Sequence, residues 1–301
     1  MSLKKIVVIG SSNTDMVVKA GHLPVPGETV IGGNFMMNPG GKGANQAVAI
    51  SRLGGNVSFI TKTGNDLFGK QSIEMFAEEN INTDYVLSDV NHPSGVALIM
   101  VDENGENCIV VASGANGALS PADIDKARAL IEDADILLMQ LETPLKTLEY
   151  ATELACEKKV RVVLNPAPAA FLSDSFLKRI NIIVPNKTEA EVLSGIKIDN
   201  WDTARSAAEI ISDKGIENVI ITLGSKGALV KEKTGFYEVP VEKIKAVDTT
   251  AAGDTFCGAL CVALAEGEPL IEAVKFANKA AGITVTRTGA MSSIPHRSEL
   301  L

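Results

Sequence analysis

Short apolar runs recur along this chain at 6–9, 57–60, 136–139, 160–164, 180–184 and 219–223, with stretches of helical periodicity between several of them. Runs this dense in apolar residues, with at most one polar position each, leave little polar face to turn to water and read as strands buried on both sides. Strands of that kind, alternating with amphipathic helices, predict an α/β fold with a doubly wound, mainly parallel sheet flanked by helices. The periodicity places helices at 43–53, 68–79, 121–132, 145–158, 188–193, 201–214, 253–265 and 270–284.

Two regions break the alternation. Residues 16–37 are rich in Gly, Pro and β-branched residues, and residues 95–111 form two apolar stretches around a turn at 102–106. Both read as antiparallel strands, able to join into one small sheet that projects from the main body. Exposed edges on such a sheet would invite a homodimer. No linker rich in Gly, Pro or Ser marks a boundary, so residues 1–301 are expected to form one domain carrying this projection.

The net charge of −9 argues against a nucleic-acid partner, and an anionic ligand must then be held by local geometry. Four cysteines without a CxxC pair or zinc spacing suit a reduced, cytoplasmic setting. Cys257 and Cys261, one helical turn apart, read as small packing residues. The apolar run that opens the chain is too short for a signal peptide, and no later run could span a membrane.

The strongest chemical signal is DTTAAGDTF at 248–256, which leads into the apolar-periodic segment 257–265. Ala251, Ala252 and Gly253 permit a tight turn that exposes unpaired amides at a helix start, where the helix dipole also favours an anion. Asp254 would repel a phosphate rather than bind one. Its natural task is to accept a proton from a hydroxyl that attacks a phosphorus held by those amides, although a helix cap would also put an Asp here.

Asn13 and Asp15 follow the first strand, at the end where ligands bind in parallel sheets, and suit sugar hydroxyls; a cap or Asx-turn is the alternative. Gly41 and Gly43 allow close backbone approach, while Lys42 and Asn45 add a charge and an amide. Asn186 and Glu189 share one face of a helix start, fit for phosphate oxygens and magnesium-bound water, or simply for a capping box. Thr222, Gly224, Ser225 and Gly227 form a loop after a strand that faces a nucleotide. The GNDLFGKQ segment at 64–71 mimics a P-loop, but Gln71 stands where Ser or Thr must hold magnesium, and Asp66 would put negative charge in the cradle. The glycine fingerprint of a dinucleotide dehydrogenase is missing after the first strand.

The segments at 40–46 and 248–256 resemble the two signature regions of the ribokinase/phosphofructokinase B-type sugar kinases. GSSNTD (10–15), PGETV (26–30), GGKGANQA (40–47), LNPAPA (164–169), PNKTEAE (185–191) and TLGSKG (222–227) are similar to segments of that family in the same order. The resemblance covers nearly the whole chain and matches the ribose-phosphorylating members best. It implies an ATP-dependent kinase acting on O5 of D-ribose, with Mg2+ and K+ as cofactors and the small sheet as a lid over the sugar. It adds Glu142 as a sugar acceptor and Asn278 near the adenine. For potassium it implies a ring from Asp248, Thr250, Thr284, Arg287, Gly289 and Ser293, mostly through carbonyls. The chain ends soon after Pro295, so a terminal helix beside that ring is expected to be short or absent. Deoxyribose, fructose, a keto-deoxy sugar acid and a nucleoside are alternative substrates for such machinery, with only 4% aromatic residues to stack a purine. A non-catalytic sugar sensor would not need Asp254 and Glu189 together.

Overall fold

The computed structural model describes residues 4–300. The first half comprises β1 (Lys5–Ile9), β2 (Asn13–Lys19), β3 (Asn34–Gly40), α1 (Lys42–Arg52), β4 (Asn56–Gly64), α2 (Leu67–Glu78), β5 (Val86–Asp89), β6 (Gly95–Val101) and β7 (Asn107–Ala112). The middle follows as α3 (Pro121–Lys126), α4 (Arg128–Glu132), β8 (Ile136–Met139), α5 (Leu145–Glu157), β9 (Arg161–Leu164), α6 (Asp174–Leu177), β10 (Ile182–Ile183), α7 (Lys187–Ser194) and α8 (Trp201–Asp213). It closes with β11 (Asn218–Thr222), β12 (Ala228–Glu232), β13 (Gly235–Val239), α9 (Ala252–Glu266) and α10 (Leu270–Thr284).

Nine strands form one sheet in the order β13-β12-β11-β10-β9-β8-β1-β4-β5. From β11 to β5 every pairing is parallel, and β12 and β13 close the edge as antiparallel strands. The expected double burial is visible within β1. Ile6 and Val8 join the core under α1, α2, α9 and α10, whereas Val7 and Ile9 join the core under α3 to α8. β1 lies between β8 and β4, so the chain leaves in opposite directions on its two sides. That switch point opens a crevice at the carboxyl ends of the strands.

β2, β3, β6 and β7 form a second sheet in the order β3-β2-β6-β7. Its outer pairs are antiparallel, as expected, but the central pair β2–β6 is parallel, which corrects an all-antiparallel reading. The reason is connectivity: β2 and β6 each leave the main body outward, and each returns through its own partner. Residues 20–33 contribute no strand to it.

The helix expected over 121–132 is interrupted at Ala127, whose amide bonds the carbonyl of Ile124 three residues back and tightens the turn. The strand expected at 180–184 shrinks to Ile182–Ile183. The P-loop mimic is a helix start, because Asp66 caps α2 by accepting from Gly69 N (2.9 Å) and also binds Ser94.

Candidate active site

Two glycines dock α1 onto the end of β1. Gly41, its N-cap, has φ 92°, a left-handed conformation that other residues rarely adopt. Gly43 closes against Gly10, where a Cβ would come within 2.7 Å of the Gly10 Cα, and the Ala44 amide donates to the Ser11 carbonyl at 2.9 Å. Farther along, Gly258 of α9 brings α1 to near backbone contact, since a Cβ there would meet Ala49 Cβ at 2.6 Å. Asp254 lies one turn before Gly258 and therefore faces Asn45 and Gln46.

The Asp254 carboxylate is buried and fully addressed by α1. Its Oδ2 accepts from Asn45 Nδ2 at 2.9 Å and its Oδ1 from Gln46 Nε2 at 3.0 Å. Burial pushes its pKa up, while Lys42 and the two amide donors pull it back. Asn45 Oδ1 is buried without a partner, so this amide retains an acceptor for a ligand. Ala251 caps α9 in the left-handed conformation (φ 60°) and makes no side-chain cap bond. The Ala252 amide reaches Thr249 O at 3.3 Å and the Thr255 amide Ala251 O at 2.8 Å, whereas the amides of Gly253 and Asp254 have no partner among the described residues. A Cβ on Gly253 would meet nothing within 4 Å, so open space lies before those donors.

A cavity of about 180 Å³ runs along this helix start, lined by Lys42, Asn186, Glu189, Thr222, Gly253 and Asp254 among others. A second cavity, about 360 Å³, lies under the small sheet and is lined by Ser11, Asn13, Asn116 and Glu142, with Val111 of β7. Glu142 joins the two, because its Oε2 accepts from Ser11 Oγ at 2.5 Å and from the Lys42 amide at 3.2 Å. Asn13 Oδ1 accepts from Asn116 Nδ2 (2.8 Å). Asp15, on β2, is pushed up to about 6 by burial first and by Glu142 and Asp254 second, against the pull of Lys42. The Lys42 ammonium is itself held above its usual value: burial opposes the charge, and Asp254, Glu142 and Glu189 outweigh it.

Asn186 and Glu189 form a reciprocal capping box on α7, with Glu189 N on Asn186 Oδ1 at 2.9 Å and Asn186 N on Glu189 Oε2 at 2.8 Å. The cap does not compete with a ligand role. It aims a buried carboxylate at the cavity, and that burial raises the Glu189 pKa. Thr222 joins Asn186 through an isolated bridge and lines the same space. Gly224 and Gly227 turn the following loop in left-handed conformations, leaving Ser225 exposed. Asn278 donates to Val239 O at 3.2 Å, the same carbonyl that a Cβ on Gly227 would strike, so the loop and Asn278 share one corner of the fold.

Asp248, Thr250 and Gly289 come together. Asp248 Oδ1 accepts from the Thr250 amide (2.9 Å) and hydroxyl (2.6 Å), and its Oδ2 from the Gly289 amide (3.0 Å). Burial opposes its ionisation, but these bonds hold its pKa below the ordinary value. Thr284 turns its hydroxyl to Thr255, and the Ser293 hydroxyl donates to Ala290 O. The Arg287 side chain points away to Glu299, which leaves only its carbonyl for a ring. The last described residues make a short 3-10 turn at Arg297–Leu300.

Sequence reasoning missed Gln46, Gln140, Asn165 and Asn116: the two glutamines bond the site residues without lining either cavity, while Asn165 and Asn116 each border one. Gln46 and Asn165 stand inside GGKGANQA and LNPAPA, where a polar residue amid small and apolar ones was the available signal.

The profile of the pfkB family of carbohydrate kinases matches residues 3–297. A ribokinase of Haemophilus influenzae is 47% identical over 298 residues, covering 99% of this chain and 97% of its own. A deoxyribokinase of Salmonella typhi is 39% identical over 291 residues, with 96% and 95% covered. The solved structure of Arabidopsis thaliana ribokinase complexed with ribose and ATP has a TM-score of 0.94 at 31% identity, with 99% and 98% covered.

Proposed function

The chain belongs to the pfkB family of carbohydrate kinases, and we propose that it is an ATP-dependent kinase of D-ribose that forms the 5-phosphate, with Asp254 as its base. One observation carries this reading: a buried carboxylate stands at a helix start whose amides face open space beside a lysine. Asp254 takes the proton of the O5 hydroxyl as the oxygen forms a bond to the γ-phosphorus. The bond from that phosphorus to the β,γ-bridging oxygen breaks, and ADP leaves with the electron pair. The amides of Ala252 and Gly253, with Lys42, stabilise the charge that develops on the transferring group.

Asn13, Asp15, Gly41, Lys42, Gly43, Asn45 and Glu142 would form the sugar side, under the small sheet as a lid. Asn186, Thr222, Gly224, Ser225, Gly227, Gly253 and Asn278 would form the nucleotide side. Among the described residues no cluster of three His, Cys, Asp or Glu is arranged to grip a metal directly. The donor set fits a hydrated magnesium held by Asn186 and Glu189 through water, since each Glu189 oxygen keeps lone pairs beyond its bond to Asn186. When bound, magnesium neutralises phosphate charge. The oxygens of Asp248, Thr250, Thr284, Arg287, Gly289 and Ser293 would hold potassium, a weakly hydrated cation that, when bound, would order the loop before α9.

The deoxyribokinase relative makes 2-deoxyribose the competing substrate. ADP release should be measured with ribose, 2-deoxyribose, fructose and nucleosides, in potassium and in a large organic cation at equal ionic strength. Ribose should give the highest kcat/KM, and exchange of potassium should lower turnover. Asp248→Ala should abolish that dependence. Equal rates in the two salts would remove the cation proposal, and preference for another sugar would replace ribose.

Ribose affinity should fall as pH drops through about 6, where Asp15 takes up a proton and ceases to be a pure acceptor. The stability of the free protein should move the other way. A carboxyl whose folded pKa is raised binds its proton more tightly when folded, so this group favours folding as pH falls through the same window. Calorimetry and thermal melts on Asp15→Asn, which should lose both trends, check the pair.

Along β2, β3, β6 and β7, alternate side chains share a face, and register puts Phe35, Met37, Val18, Leu98, Met100 and Val110 on the face opposite Asp15. All six are exposed apolar groups, with Phe35 at 61% and Val110 at 65%. A homodimer formed through this sheet would cover them. Light scattering should give twice the chain mass, and Leu98→Glu should halve it; a monomeric native protein would refute the pairing. With four free cysteines and ATP as substrate, the protein suits the reducing cytoplasm.

A further inference from the structure

Resting on the assignment of Asp254 as the base, we infer that Gln46 is a positioning residue, fixing this carboxylate through a chain of side-chain amides that has only one hydrogen-bonding sense. The chain is anchored at the Val184 carbonyl, which can only accept. Asn165 must turn its Nδ2 toward it, at 3.0 Å, and so leaves Oδ1 for Gln46. Gln46 must then present Nε2, whose two hydrogens go to Asn165 Oδ1 at 3.2 Å and to Asp254 Oδ1 at 3.0 Å. Its Oε1 is left to accept from Gln140 Nε2 at 2.5 Å. Gln140 is itself packed on Gly10, where a Cβ would come within 2.0 Å of its Oε1.

A free amide could flip and set its oxygen against the carboxylate. Here a flip of Gln46 would break its bonds to Gln140, Asn165 and Asp254 together. Gln46 and Gln140 are completely buried, so water cannot readily replace what is lost there, while Asn165 borders the smaller cavity. Neither glutamine lines either cavity. They reach the reaction only through Asp254, and they hold together groups from the ends of β8, β9 and β10 with both helices of the site.

Steady-state kinetics of the full-length enzyme test this. Gln46→Met keeps the length and removes the donor; kcat should fall about tenfold to a hundredfold, the scale of a slight misplacement of a reacting group. KM for ribose and for ATP should stay within about twofold. Gln140→Met, which does not touch Asp254, should lower kcat several-fold with the same KM values. The double variant should be no worse than Gln46→Met, because Gln140 acts only through Gln46. Should Gln46→Met not fold, Gln46→Asn, which keeps a buried amide but withdraws it from Asp254, takes its place in the cycle. Additive losses, or lowered melting temperatures with kcat intact, would overturn the inference. A fully active Asp254→Asn would instead remove the base assignment beneath it.

Discussion

Asp254→Asn should lower kcat by at least about a hundredfold, the lower range for removing a general base, and leave ribose and ATP affinities within a few-fold of the original. The substitution keeps volume and shape at a buried position. What it removes is proton acceptance, and it also sets an NH2 group against a donor. Asn45 Nδ2 and Gln46 Nε2 address different oxygens of Asp254, so an asparagine can satisfy one and must oppose the other. Rapid-quench turnover with calorimetric binding of both substrates separates these effects. Turnover within a few-fold of the original would mean that another group takes the proton, and Glu142 or Asp15 would be the next to try.

The main sheet was legible because a strand buried on both faces has no freedom in composition. β1, β4, β8, β9 and β11 each carry a dense apolar stretch, and the helices between them carry their own period. β12 and β13 escaped this reading because an antiparallel edge is half exposed, as the mixed burial of Gly235–Val239 shows. The parallel pairing of β2 with β6 was not legible for another reason. Both segments look like hairpin strands locally, and strand direction across a long sequence gap is set by where each leaves the main body.

The site divides along the same line. Asp254, Lys42 and Glu189 were singled out from local chemistry, a charge beside a glycine turn or a helix start, and the fold brings the three to one cavity. Gln46, Gln140 and Asn165 were not, because their meaning is relational: each amide is defined by the one before it, and the first by a backbone carbonyl. Asn45 shows the same limit. Read as a sugar ligand, it commits one N–H to Asp254 while its oxygen stays buried without a protein partner. The capping box of Asn186 and Glu189 was one of two readings from sequence, and the fold makes the cap the means by which the carboxylate is aimed.

Gly43→Ala should damage both stability and turnover, although it adds a single methyl group. The new Cβ would fall 2.6 Å from Gly10 C, 2.7 Å from Gly10 Cα and 2.7 Å from Ser11 N. All three are backbone atoms at the end of β1, a strand locked between β4 and β8, so no side chain can rotate away. The helix must move instead. A shift of α1 costs about 1 to 3 kcal/mol by overpacking, and it carries Lys42, Asn45 and Gln46 away from Asp254 together. Loss of alignment on the order of 1 Å is worth roughly a hundredfold in rate, and kcat should fall by about that much. Gly21→Ala is the control, because a Cβ there meets nothing within 4 Å and its backbone is not left-handed. Thermal melts and turnover of the two variants side by side give the answer. If Gly43→Ala melted and turned over like Gly21→Ala, contact between α1 and the end of β1 would not be what sets the geometry around Asp254.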